Sequence, residues 1–200
     1  MSKYGHRTGN WLEAVVNKVG GEEAADALLR GELVVTRPVR VWETWKTVRL
    51  GTFKNVDEIY QALKVSGNNI NNEEGDILGK PTFTVSKTEK DVELINVSVE
   101  ELGLKDNDKY KDICKRAFKL GLQLCPAEVG PQLRLQWKDQ PKGTHVIVAM
   151  KAIFTVEPDL SPRVFLIDCS DDGKQNLSTT MGSAHGRWYD YSRFVFLRRK

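Results

Sequence analysis

The sequence predicts an α+β protein: an N-terminal helical hairpin packed on a mixed, largely antiparallel sheet with several short helices. Three observations lead there. Apolar residues between positions 11 and 29 recur at helical spacing. From position 133 onward they alternate with polar residues in short runs separated by turn residues. The composition, 40% hydrophobic and 28% charged over 200 residues, is that of an ordinary globular chain. The expected organisation is a hairpin over residues 1–35 and an α+β body over 36–200.

In the hairpin, Trp11, Leu12, Val15, Val16 and Val19 form one helical face. Asn10 is placed to cap it, and Gly20-Gly21 to stop it. Glu22 and Glu23 open a second helix at its positive end, with Ala24, Ala25, Leu28 and Leu29 as its apolar stripe and Gly31 at its close.

A β-rich stretch is expected next: a short strand over 33–35, alternation of Val39 and Val41 with Arg40 and Trp42, and extended chain over 45–50. Asn55 with Glu58 three residues on resembles a capping box, so a helix follows with Val56, Ile59, Tyr60 and Leu63 on its face. A polar loop over 68–72 leads to a short helix over 73–78, stopped by Gly79-Lys80-Pro81. In a strand over 92–99, Glu93, Ile95, Val97 and Val99 share a face, with 82–85 pairing beside it.

The clearest helix spans about 108–120, its face made of Tyr110, Ile113, Cys114, Ala117 and Phe118. Pro126 suits the first position of a helical turn, where its missing N–H costs nothing. Leu133, Leu135 and Trp137 alternate with Arg134 and Gln136 as a strand would. One long strand is expected over 144–154, another over 163–169, a turn at Asp171-Asp172-Gly173 and a last strand over 193–197.

Thirty Lys and Arg against 27 Asp and Glu leave a net charge of +3, too small to name a partner. No apolar run approaches the ~18 residues of a membrane span, and residues 1–7 lack the apolar stretch of a secretory signal. Three cysteines, Cys114, Cys125 and Cys169, are odd in number and share no metal-like spacing, which points to reduced thiols in a cytoplasm.

The string over 121–136, GLQLCPAEVGPQLRLQ, resembles one carried by a group of bacterial proteins without an assigned activity. The likeness extends loosely to residues 11–31, to Gly79-Lys80-Pro81 and to the closing Arg193-Phe194-Val195-Phe196. It implies a bacterial, cytoplasmic, single-unit protein and brings no catalytic residue with it.

Five features bear on function. Cys125 beside Pro126 is either a thiolate activated by a helical turn or a small buried hydrophobe; as a nucleophile it needs His145 or His185 as base. Residues 168–173, DCSDDG, match the first half of a calcium loop through Asp168, Ser170 and Asp172, but Thr179 stands where the loop needs a bidentate Glu. A hairpin turn explains the string better. Ser183 and His185 lie in a glycine-flanked loop without the spacing of a nucleophile elbow. The second N-terminal helix carries three acids against one base over 22–30, so it is repelled by phosphate rather than suited to the major groove.

The fifth feature is the segment 37–54, which holds five bases, Arg37, Arg40, Lys46, Arg49 and Lys54, against Glu43 alone, with Trp42, Trp45 and Phe53 interleaved. Bases beside flat rings suit single-stranded nucleic acid; the competing reading makes the tryptophans core. The sequence therefore favours a non-enzymatic binding or interaction module, with single-stranded nucleic acid, or else another protein, as partner, and with no cofactor and no membrane. The alternative is a small hydrolase or transferase using Cys125 or Glu128 with a histidine.

Overall fold

The structure, a computed structural model, describes residues 9–34, 40–68, 70, 72–155 and 161–199. The chain divides into two units between Val39 and Arg40. The first holds α1 (Gly9–Val19) and α2 (Glu22–Leu29). Gly20 and Gly21 turn the chain between them at φ of 114° and 99°, a region that favours glycine, and the Gly21 N–H donates to the Val16 carbonyl at 2.9 Å. Asn10 lies inside α1 rather than capping it. Leu33 and Val34 carry no strand, and Val35 and Val39 lie outside the described residues.

The second unit is α+β as the sequence predicts. Its eight-stranded sheet runs β1 (Lys46–Leu50), β2 (Lys90–Ser98), β10 (Arg193–Arg198), β5 (Thr144–Val148), β7 (Pro162–Cys169) and β6 (Ile153–Phe154), with β4 (Leu122–Gln123) beside β10 and β8 (Gln175–Met181) beside β7. Among the described strands of this sheet only the β10–β5 pairing is parallel. A separate ribbon pairs β3 (Asp108–Lys109) with β9 (Arg187–Trp188). The helices are α3 (Val56–Val65), α4 (Asn72–Gly79), α5 (Tyr110–Lys119) and α6 (Val129–Gln136). Among the described residues no helix is long and apolar enough to cross a membrane.

Helix α3 starts where its capping residues place it. Asn55 Oδ1 accepts the Glu58 N–H at 2.9 Å, and Glu58 Oε2 accepts the Lys54 N–H at 2.8 Å. On α5, Tyr110, Ile113 and Ala117 are buried, but Phe118 is exposed, its ring under the Arg199 guanidinium at 4.9 Å.

Register separates the two faces of the sheet. Phe194, Ile147 and Leu166 are partners across β10, β5 and β7, so they share one face. Phe165, one residue along, points to the other. Helix α5 meets the first face, where the Tyr110 ring lies 6.0 Å from that of Phe194. Helix α6 meets the second so closely that a Cβ on Gly130 would sit 2.4 Å from Phe165 Cδ2.

Several expected elements differ. The segment Leu133 to Gln136 is the end of α6, with Trp137 just past it, and not a strand: Arg134, which alternates with the leucines in sequence, is itself buried, and its guanidinium donates to the Trp137 carbonyl and to Gln175 Oε1 at 2.8 Å. Residues 82–85 form no strand. The long strand expected over 144–154 breaks after Val148: the Ala149 N–H still donates to the Val195 carbonyl at 3.0 Å, but its carbonyl accepts the Cys125 N–H at 2.7 Å, so the chain changes partner there. Strand β2 is buried on both faces toward its end, and Glu93 is exposed while Leu94 is buried, because β2 lies between β1 and β10.

Candidate ligand-binding site

Helix α5 shields the first sheet face at β10. Over β5, β7 and β8 the same face forms the floor of an open concavity of about 520 Å³, walled by residues 186–192. Ile147 and Leu166 are its apolar floor, and His145, Asp168 and Thr180 come from the same three strands.

The wall is anchored from behind. The Asn107 N–H donates to the Trp188 carbonyl, the Glu100 N–H to the Asp190 carbonyl, and the Asp190 N–H to Asp106 Oδ1 at 2.8 Å. On this fixed segment Tyr189 and Tyr191, two residues apart, stack with centroids 5.2 Å apart and planes 4° from parallel. They are 59% and 67% exposed. Trp188 is set edge-on against Phe194 at 5.0 Å, and its indole N–H is buried without an acceptor among the described residues.

The polar side of the concavity centres on Asp168. Its Oδ2 accepts from Asn176 Nδ2 at 2.9 Å and its Oδ1 from Ser178 Oγ at 2.8 Å, both from β8. His145 is its register partner on β5. Arg187, on the wall, donates from Nη1 to the Asn107 carbonyl at 3.1 Å. The arrangement offers flat ring faces, a carboxylate held by neutral donors, an imidazole and a guanidinium.

The residues that the sequence singled out are mostly elsewhere. Residues 40–45 carry no strand, so the basic segment is not a strand pair; only its part over Lys46–Leu50 pairs, with β2. Trp42 is half-buried against the core, donates its indole N–H to the Leu120 carbonyl at 2.9 Å, and has the Arg40 guanidinium 4.1 Å from its ring centroid. Arg40 also donates to the Glu101 carbonyl. Arg49 pairs with Glu89 at 2.9 Å, and Lys46 with Asp139 at 3.7 Å. Lys54 is exposed beside the α3 cap, and Arg37 lies outside the described residues. The charge of this segment is largely engaged within the chain.

Nor does the structure bring Cys125 or Glu128 together with a histidine. Cys125 is 4% exposed at the junction of β4 and α6, and its Sγ donates to the Val195 carbonyl at 3.4 Å. Burial pushes its thiol well above the ordinary range. It lines a concavity of about 200 Å³ with Thr82, Thr84 and Lys151, without a histidine. Glu128 is wholly buried, its two oxygens accepting the backbone N–H groups of Gly51 at 2.7 Å and Ser86 at 2.8 Å. His145 lines the larger concavity instead, and His185 sits in a turn where its N–H donates to Ser183 Oγ.

The partial calcium motif is likewise divided. Asp168 belongs to β7 and bonds across to β8, whereas Ser170 Oγ donates to Asp172 Oδ1 at 2.7 Å within the turn. That bond, with the Lys174 N–H, holds the Asp172 carboxyl below its ordinary pKa. Among the described residues no group of three or more His, Cys, Asp or Glu side chains is placed to hold a metal ion.

The tyrosine wall escaped the sequence reading. Its signal was the dense aromatic run Trp188-Tyr189-Asp190-Tyr191, which sets two rings at an i, i+2 spacing beside a third. Compared with models of known protein families, with curated proteins and with solved structures, the chain matches none of them.

Proposed function

We propose that the protein is a binding module of the bacterial cytoplasm, without enzymatic activity of its own, that stacks bases of single-stranded nucleic acid on Tyr189 and Tyr191. The observation that carries this reading is the pair of exposed, parallel tyrosine rings on the wall of an open concavity. Every base has a flat face, and stacking on an aromatic side chain contributes about 1–3 kcal/mol per base. Exposed rings fixed from behind lose little entropy when a base settles on them. Arg187 and His145 are the nearby groups suited to phosphate, so electrostatics play a small part and ring contact a large one.

Fluorescence anisotropy with labelled single-stranded 12-mers of mixed sequence tests this. The unaltered chain binds, Tyr189→Ala and Tyr191→Ala each weaken binding by about 1–3 kcal/mol, and Trp42→Phe leaves it unchanged. The salt dependence is shallow, near one or two phosphate contacts at a slope of about −0.7 each. No binding at low salt overturns the reading.

A further inference from the structure

We infer that Asp168 makes this seat selective for guanine, the base that presents two adjacent N–H donors on one edge. The inference rests on the stacking reading and adds to it a choice among bases. An ionised carboxylate is an acceptor only, with about four lone-pair sites on its two oxygens. In Asp168 one site on each oxygen is filled, by Asn176 Nδ2 on Oδ2 and by Ser178 Oγ on Oδ1. Both donors come from β8, on one side, and they fix the carboxylate while leaving an acceptor site on each oxygen for the concavity that it lines.

Such a group recognises a ligand by the donors it offers. Guanine supplies its ring N1–H and its 2-amino group side by side, one for each remaining site, in the paired geometry that favours carboxylates. Cytosine and adenine supply an amino group next to a ring nitrogen whose lone pair faces the carboxylate. Thymine and uracil supply one N–H between two carbonyl oxygens that the carboxylate repels. The aromatic wall is indifferent to these differences because stacking tolerates any base. Discrimination therefore falls on Asp168, while affinity is shared with Tyr189 and Tyr191.

The test compares three labelled 12-mers on the full chain: oligothymidylate, the same strand with two central guanines, and the same strand with inosine, which lacks the 2-amino group, in their place. Expected is binding of the guanine strand at least about 10-fold tighter than oligothymidylate, the size of a good two-point base contact, with the inosine strand between them. Asp168→Asn, which offers one acceptor and a repelling amide, erases the difference. Equal binding of all three strands, lost together in Tyr191→Ala, overturns the guanine inference and leaves the stacking reading standing. A guanine preference that persists in a folded Asp168→Asn overturns the role of Asp168. Binding of none of the strands overturns both readings. The inosine comparison uses the unaltered chain, so equal binding of the three strands overturns the guanine inference even if Asp168→Asn does not fold.

Discussion

The side-chain amide of Gln136 closes both outward-facing backbone groups of Arg49. Its Oε1 accepts the Arg49 N–H at 3.0 Å, and its Nε2 donates to the Arg49 carbonyl at 2.8 Å. Strand β1 pairs with β2 on its other side, so the last residue of α6 fills the place that a further strand would take at this position. An open edge is a template for pairing with another chain, and natural sheets block it.

Gln136→Ala therefore removes both bonds to Arg49, together with the bond from Gln136 Nε2 to Gln132 Oε1 at 2.9 Å, and unblocks the edge. The expected cost is about 1–2 kcal/mol, because the two bonds to Arg49 lie near solvent and water replaces part of them. Urea unfolding reads the stability change. Light scattering at raised concentration reads the second effect: self-association that the unaltered chain does not show.

Glu128 is a deeper clamp. Its carboxylate joins the chain after β1, at Gly51, to the segment at Ser86 and to α6 itself, and Gln132 Nε2 adds a third donor at 3.2 Å. Glu128→Ala strands these donors in the interior and should lower stability by about 3 kcal/mol or more, since hydrogen bonds to a charged acceptor contribute about 1.5–3 kcal/mol each. Glu128→Gln keeps one acceptor and turns an amide donor toward the other N–H; a loss of about 2 kcal/mol is expected. A loss of unfolding free energy below about 0.5 kcal/mol in denaturant titrations of both variants would count against the clamp.

Trp42 separates scaffold from binding surface. Its ring packs on the core and its N–H is spent on the C-terminal carbonyl of α5. Trp42→Ala is expected to lose about 2–3 kcal/mol, somewhat less than a fully buried tryptophan, and Trp42→Phe about 1 kcal/mol for the hydrogen bond. Thermal melts measure both. Oligonucleotide affinity, corrected for the folded fraction, stays the same.

The thiols predict a dependence on pH. Cys114, Cys125 and Cys169 are free, and the last two are buried. Burial pushes the Cys114 thiol up to about 11 and raises Cys125 further. Unfolded thiols ionise near ~8.5, so the unfolded chain loses these protons first as pH rises. Stability held by the protonated thiols is thus complete below about pH 8 and falls as pH climbs through 9 toward 11. Disulfide-exchange labelling at pH 8 should find Cys125 unreactive in the folded protein and all three thiols reactive in guanidinium. Fast labelling of native Cys125 would sink the assignment of a buried, inert thiol.

What the sequence disclosed and what it hid follow from where the stabilising contacts lie. Helix α3 was legible because Asn55 and Glu58 act within four residues of each other. Strands β7 and β10 were legible from their dense apolar runs. Helix α6 was not, because its alternating Leu133, Leu135 and Trp137 mimic a strand. What holds it as a helix is distant: Gly130 lets it approach Phe165, and Arg134 is buried against acceptors on the following turn and on β8. Strand β8 was missed because Leu177 is its one buried apolar residue, and its polar side chains serve Asp168 instead of a core. The candidate site was hidden for the same reason. Its floor comes from β5, β7 and β8 and its wall from residues 186–192, and only the register of β5 on β7 brings His145 beside Asp168.

Strand β10 follows every other element in chain order, yet it lies between β2 and β5 near the middle of the sheet, pairing Val195 with Asn96 across nearly a hundred residues. A chain that ends at β9 has the β1–β2 pair and the β5–β7–β8 strands as two separate pieces, each with a raw edge where β10 belongs. Neither can bury Ile95, Val97 or Ile147 as the finished sheet does. Until residues 193–198 join the sheet those edges are open templates for neighbouring chains, and the pairing of β10 with β2 closes a long loop of the kind that slows folding. A chain truncated before residue 193 would therefore be a substrate for chaperones and proteases, not a slightly shortened protein.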